Sequence, residues 1–329
     1  MAGIPGYVRL RGRERTRGEA AGAVGKTGRP RSRHRERLEE DIMIVVGVDG
    51  SHAALEAVGW AVREAGLRGA RLRVVHVMPA WAFEMPEDVP HADVGRWMRD
   101  GAAGMLAEGV ERARAEGLPV EVESLLLPGD PRRGLIEVTG EAELLVVGSH
   151  GLGGFLGMLA GSVALGVCGH TACPVAVVRA APAGQERSVP EGPVVVGVDG
   201  SPVGADALAL AFAEASARGV GLRAVHAWSG PVIEGAPHLL ESAARQEGDE
   251  QRVLAEALAG WGERYPDVKV TAQAVNGHPV DVLKDAAARA GLLVVGSRGR
   301  GDLTGLLLGS VSHSLLHHAV CPLVVVPPR

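Results

Sequence analysis

The chain reads as an α/β protein of two tandem doubly wound domains, each a five-stranded parallel sheet with helices on both faces. Three observations predict this. Long segments recur at a nearly fixed offset, Val-rich runs alternate with helix-length stretches, and aromatic residues make up only 3% of the chain. With 46% hydrophobic residues the cores must be filled by Val, Leu, Ala and Ile, the composition of strands buried on both faces.

The repeat comes first because it fixes the domain count. Residues 43–51 (MIVVGVDGS) recur as 193–201 (PVVVGVDGS), and 72–76 (LRVVH) recur as 222–226 (LRAVH), both 150 positions on. Residues 144–149 (LLVVGS) recur as 292–297, and 173–178 (CPVAVV) as 321–326 (CPLVVV), both 148 positions on. Domains at 42–180 and 193–329 follow, joined by an Ala-, Pro- and Gly-rich linker at 181–192.

Within each copy a strand (44–48; 194–198) leads through Asp-Gly-Ser into a helix (52–68; 202–218). A second strand (72–77; 222–227) opens a variable stretch ending in a helix (95–116; 240–263). A third strand (120–127; 268–275) meets a helix that Pro131 or Pro279 starts. A fourth strand (143–147; 292–295), a glycine-rich loop, a fourth helix and a fifth strand complete the unit. Strands separated by helices imply right-handed crossovers and an open parallel sheet, whose ligands bind at the strands' carboxyl ends.

Residues 1–41 stand apart. Residues 1–40 hold 11 Lys/Arg against 5 acids, +6, so the overall −5 leaves −11 for 41–329. A segment this basic and polar builds no core and is expected to be disordered. The acidic remainder argues against nucleic acid as a partner of the folded domains. Gly25-Lys26-Thr27 imitates the end of a phosphate-binding loop, but Ala20 stands at its first glycine and no strand precedes it. The odd set Cys168, Cys173 and Cys321 forms no CxxC pair and suits a reducing cytoplasm. No apolar run is long enough to span a bilayer, so no membrane role is expected.

The chemistry lies in the fourth loop. Gly148-x2-Gly151-x9-Gly161-Ser162 repeats as Gly296-x2-Gly299-x9-Gly309-Ser310. Glycines after a strand allow unusual φ and close approach, and convergent loop amides form an anion nest. The last Gly-Ser opens a helix whose amides, hydroxyl and dipole suit phosphate. Asp49-Gly50-Ser51 and Asp199-Gly200-Ser201 end the first strand, which neighbours the fourth in a doubly wound sheet. The aspartate can accept hydrogen bonds from a base or ribose while the serine caps the following helix.

This combination of Asp-Gly-Ser, G-x2-G-x9-G-S and a terminal Cys-Pro strand resembles the universal stress protein family in its tandem, ATP-binding form. The resemblance covers 42–180 and 193–328. It implies strand order 3-2-1-4-5 and ATP, with or without Mg²⁺, between the ends of strands one and four. It assigns Asp49 and Asp199 to the adenine end. Backbone contact with the base falls to Val75 or Val77, and to Val225 or Ala227. Gly148, Gly151, Gly161 and Ser162, with Gly296, Gly299, Gly309 and Ser310, would hold ribose and phosphates. It also implies that the two halves pair through their fifth strands as an intramolecular pseudo-dimer, and leaves a homodimer of whole chains open.

The copies differ. His150 stands where the second loop has Arg298, and Ala164 where it has Ser312. A neutral histidine offers a triphosphate less than arginine does, so both sites are expected to bind, the second more tightly. His313 and His317 stand four apart on a helix, but no third ligand is evident and no metal site is assigned. His170 and His318 are expected to pack or cap; His76 and His226 lie on strand two and could border the pocket, with satisfied core histidines the preferred reading. No nucleophile elbow or kinase set occurs, so no catalytic residue is assigned. The leading function is an ATP-binding stress-response and signalling module that acts on an unidentified protein partner. The competing one is a slow ATPase or nucleotidyl-transfer enzyme on the same fold.

Overall fold

The computed structural model describes residues 8–10, 42–150, 160–180, 192–201, 204–229, 237–299 and 308–328. In the first half, β2 (Met43–Gly47), β3 (Arg71–Met78), β4 (Val122–Pro128), β5 (Leu144–Gly148) and β6 (Val175–Val178) follow β1 (Val8–Leu10). In the second half, β7 (Val194–Gly197), β8 (Leu222–Trp228), β9 (Val270–Asn276), β10 (Leu292–Gly296) and β11 (Leu323–Val326) repeat them. The sheet order β4-β3-β2-β5-β6 is 3-2-1-4-5 within the first half, and β11-β10-β7-β8-β9 repeats it in the second.

The halves join edge to edge. β6 runs antiparallel to β11, with Val177 opposite Leu323 and Val175 opposite Val325, so eleven strands form one sheet. These apolar strands are buried along their length, which removes two open edges at once.

Two buried layers cover the sheet. One lies under the helices His52–Arg68, Ala92–Ala115 and Ala205–Arg218, the other under Pro131–Val138, Ser162–Val167, Pro279–Ala287 and Ser310–His318. Consecutive right-handed crossovers put helices on one face before the winding reverses, on the other after it. The cores are mainly aliphatic, but Trp60 and Trp228 are buried, and Phe212 is fully buried and stacks on Trp261 and Tyr265 at 5.1 and 5.5 Å.

Some boundaries move. The helix expected over 240–263 is Pro237–Leu258 followed by a separate turn at Trp261–Arg264. Gly260 takes φ 78 between them, a conformation that ends an α-helix. In the basic segment, Val8–Leu10 do form structure, pairing antiparallel with β4 from Val8 opposite Leu126 to Leu10 opposite Ser124. The unpaired backbone edge of β4 accepts a strand whatever its side chains, so composition alone does not reveal it.

Candidate functional site

The site is built where β2 and β5 end side by side. Beyond β2 the chain turns at Gly50 (φ 80), a left-handed conformation that favours glycine. Asp49 Oδ1 accepts the Ser51 amide at 3.0 Å, which tightens this turn. Ser51 then caps the helix His52–Arg68, its Oγ accepting from the Ala54 amide at 3.2 Å. In the second half Gly200 has φ 72, and Asp199 Oδ1 accepts both the amide and the hydroxyl of Ser201, at 2.9 and 2.7 Å.

Gly148 has a packing reason to be glycine. A Cβ there would lie 2.8 Å from the Ala53 carbonyl carbon and 2.9 Å from the Ala54 nitrogen, both backbone atoms. The end of β5 therefore touches the start of the helix that Ser51 caps. At Gly296 the nearest obstacle is instead the Arg298 carbonyl, 3.0 Å away.

Each loop is closed by a short backbone bond. Gly161 N–H donates to the Ser149 carbonyl at 2.5 Å, and Gly309 N–H to the Ser297 carbonyl at 2.7 Å. These amides are thus spent within the loop. The donors left for an anion are those of the next three residues, Ser162 to Ala164 and Ser310 to Ser312. They lack intrahelical partners because Leu165 and His313 make the first helical bonds, to Gly161 and Gly309. Ser162 and Ser310 are exposed. Ser312 is not: it is buried and donates its hydroxyl to the Gly296 carbonyl at 2.6 Å, tying the helix to the end of β10.

The strand-two backbone separates two candidates. Val48 N–H donates to the Val75 carbonyl, and Gly129 N–H donates to the Met78 carbonyl from the opposite side. Alternate residues of a parallel strand direct their backbone groups to opposite sides. The backbone of Val77 therefore faces the side of β2, past the point where β2 ends at Gly47. Val198 on Val225 and Gly277 on Trp228 reproduce the pattern, which gives Ala227 the matching place.

A cavity of about 340 Å³ occupies this crevice in the first half. It collects Asp49, Ser51, Val75, Val77, Gly148, Gly161 and Ser162, seven residues singled out by the sequence. Gly50 shapes the turn without lining it, and Gly151 lies outside the described residues. His76, Leu135 and Val147 also line it, and no loop motif points to them. His76 Nδ1 sits 2.8 Å from the Val48 carbonyl. In the second half, His226 Nδ1 is 2.6 Å from the Val198 carbonyl, while Nε2 lies 2.8 Å from Glu250 Oε2. Asp199 Oδ2 is buried, with no hydrogen-bond partner among the described residues; a Cβ on Gly299 would sit 3.1 Å from it. Arg298 is exposed.

A larger cavity, about 1060 Å³, lies where the halves meet, with Trp60, Leu118, Arg218 and Val220 among its walls. It opens at the amino ends of strands and holds no glycine loop. Size alone therefore does not mark the site; the smaller crevice lies at the carboxyl ends of β2 and β5, where open α/β sheets place their ligands.

Other candidate side chains lie outside this crevice. Burial pushes the Cys168 and Cys173 thiols up to about 12 and about 11, which makes them poor nucleophiles. Trp81 and Trp97 are exposed and line neither cavity. Among the described residues no group of three His, Cys, Asp or Glu is placed to hold a metal, and no helix is long and apolar enough to cross a membrane.

Fold and site together define a duplicated, doubly wound α/β protein with a helix opening on Gly-Ser after the fourth-strand loop of each half. The chain belongs to the universal stress protein family, whose model matches residues 43–179 and 192–327. It is 43% identical over 289 residues to universal stress protein Rv2005c of Mycobacterium tuberculosis, covering 86% of this chain and 96% of that one. A universal stress protein crystal structure from Archaeoglobus fulgidus shares the fold over 87% of this chain and 96% of its own, with TM-score 0.60 and 22% identity. A universal stress protein solved in complex with cAMP covers 43% of this chain and 98% of its own at 28% identity, with TM-score 0.34.

Proposed function

We propose that the chain is a cytoplasmic ATP-binding stress-response module with two nucleotide sites, which holds its ligand rather than turning it over quickly. The observation that carries this reading is one crevice with a carboxylate at one wall and an open helix terminus at the other. Asp49 and Asp199 serve the adenosine end. The outward backbones of Val77 and Ala227 meet the base, in preference to Val75 and Val225, whose carbonyls are taken by Val48 and Val198. The glycine loops let the phosphates approach, and the amides of Ser162 to Ala164 and Ser310 to Ser312 receive them. The crevice volume falls in the range of small-ligand sites, roughly 300–1,000 Å³.

Holding is favoured over hydrolysis by what the polar groups already do. In the first half Asp49 holds the Ser51 amide, and His76 is committed to the Val48 carbonyl. Mg²⁺ would accompany the phosphates as their counter-ion. A protein partner would read the occupied state. The test is mass spectrometry of ligand released on denaturing the purified chain, paired with equilibrium dialysis against ATP, ADP and cAMP. Adenine nucleotide in either experiment supports the reading; none in both contradicts it.

A further inference from the structure

We infer that the chain forms a two-fold dimer by pairing the outer edge of β9 antiparallel with the same edge of a second copy. The inference goes beyond the nucleotide reading and does not depend on it. β9 ends the sheet, bonded to β8 on one side and, among the described residues, to no strand on the other. Its duplicate is β4: Val122 pairs with Leu72 as Val270 pairs with Leu222. The two edges are treated differently. β4 carries Glu123, ends on Pro128, and has β1 seated antiparallel along its outer side. A charge, a proline and a covering strand each keep an edge from pairing with another chain. β9 (VTAQAVN) has no charge, no proline and, among the described residues, no cover. Thr271, Ala272 and Asn276 are exposed along it.

The backbone fixes which groups β9 offers. Leu222 N–H donates to the Lys269 carbonyl, and Gly277 N–H to the Trp228 carbonyl. The odd-numbered residues therefore turn their backbone groups toward β8, while Val270, Ala272, Ala274 and Asn276 turn theirs outward. Centred on Gln273, the strand meets its own copy with Val270 opposite Asn276 and Ala272 opposite Ala274. Every outward N–H and C=O of the strand then finds a partner. Centring on Ala272 or Ala274 instead leaves Asn276 or Val270 without a partner residue in the strand.

The side chains agree with the same register. Thr271 falls opposite Val275, both β-branched, and the two small residues Ala272 and Ala274 oppose each other. Gln273 meets itself on the axis. Its Oε1 accepts from Arg223 Nε at 2.7 Å, and its NH₂ can donate to the copy's Oε1, which keeps a second lone pair. Charged neighbours do not oppose one another. Lys269 would face the second copy's Gly277, and Arg223 stands one strand back from the edge.

Sedimentation equilibrium of the full chain over its soluble range should show monomer and dimer in exchange. Ala272→Pro removes an outward N–H and leaves the ladder to β8 intact, a change that edge strands tolerate. The two-fold axis doubles the lost bond, so the dissociation constant should rise about thirtyfold with the parent's circular dichroism spectrum retained. Gln273→Cys gives a second readout, independent of how the proline variant folds. On the axis of a non-hydrogen-bonded pair the two Cα atoms lie about 4.5 Å apart, within disulfide reach. Mild oxidation should therefore join two chains through position 273, the native cysteines being buried. Thr271→Cys, about 13 Å from its own copy along the strands, should not cross-link. A monomer throughout, or a dimer that a folded Ala272→Pro leaves equally tight, would overturn the proposal. So would cross-linking no readier at 273 than at 271, the result expected if the edge takes the second copy's Val8–Leu10 instead.

Discussion

Glu64 and Arg218, 154 positions apart in sequence, form an ion pair at 2.5 Å across the junction of the two halves. Both are largely buried, at 2% and 17% side-chain exposure. The pair is part of a reciprocal set. Arg68 reaches Glu64 at 2.7 Å and also meets Glu214, and Arg218 meets Glu214 as well. Glu214 and Arg218 are the duplicates of Glu64 and Arg68, 150 positions on, so one i,i+4 pair meets its own copy. Burial holds the Arg218 guanidinium below its ordinary value, and Glu64 opposes that shift.

Breaking such a set from one side leaves a largely buried guanidinium short of a partner. Glu64→Gln should therefore cost about 3 kcal/mol of stability, measured by urea unfolding of the whole chain. A loss below about 1 kcal/mol would show that the cluster is solvated and does not hold the halves together.

Gly148→Ala should be costly for its size. The added Cβ meets the backbone of Ala53 and Ala54, which no rotamer change relieves. The expected loss is about 1–3 kcal/mol in the melting or urea midpoint. Gly101→Ala makes the contrast: it lies within the helix Ala92–Ala115 with nothing within 4 Å of its Cβ, and should stabilise by about 0.5–1 kcal/mol. Equal effects at the two positions would contradict the packing account.

Ser312→Ala separates scaffold from ligand contact. Its hydroxyl is spent on the Gly296 carbonyl, so its removal should lower stability by about 1 kcal/mol. ATP affinity at the second site should stay within about threefold of the parent, as the Ser312 amide remains. A much larger loss of affinity at unchanged stability would return the hydroxyl to the phosphates.

Asp130 caps the helix Pro131–Val138 and carries the largest exposed acid shift. The Arg132 hydrogen bond, helped by the amides of Arg133 and Arg132, lowers its carboxyl from 3.8 to about 2. The folded value lies below the unfolded one, so its contribution is present above about pH 4 and disappears as pH falls toward 2. An NMR titration should place the Asp130 midpoint near 2, and Arg132→Ala should move it upward. A midpoint unchanged by that substitution would remove Arg132 as the cause.

How much of this the sequence disclosed differs by feature. The duplication and the alternation of strands and helices follow from the repeat and its Val-rich runs, because burial on both faces dictates composition, whereas strand order and the paired fifth strands were implied by the family resemblance and match the sheet. The crevice residues were legible from the loop motifs: Asp49 follows the first strand, and Gly161 and Ser162 open the helix after the loop that follows the fourth. What was not legible is who bonds whom. The loss of the Gly161 amide to Ser149, and of the Val75 carbonyl to Val48, depend on where neighbouring backbone groups point. Glu64 and Arg68 recur visibly at the duplicate positions, but their meeting becomes apparent only once β6 and β11 lie antiparallel. The strand at Val8–Leu10 is held by a backbone edge, which leaves no side-chain signature.

We propose two nucleotide sites, one in each copy of the duplicated crevice. Calorimetric titration of the full chain with ATP tests it most directly, with Ser162→Asp and Ser310→Asp alongside. The account predicts two sites in the parent and one in each variant, the site left by Ser162→Asp being the tighter at neutral pH. No binding to the parent chain, or binding that both substitutions leave untouched, would contradict it.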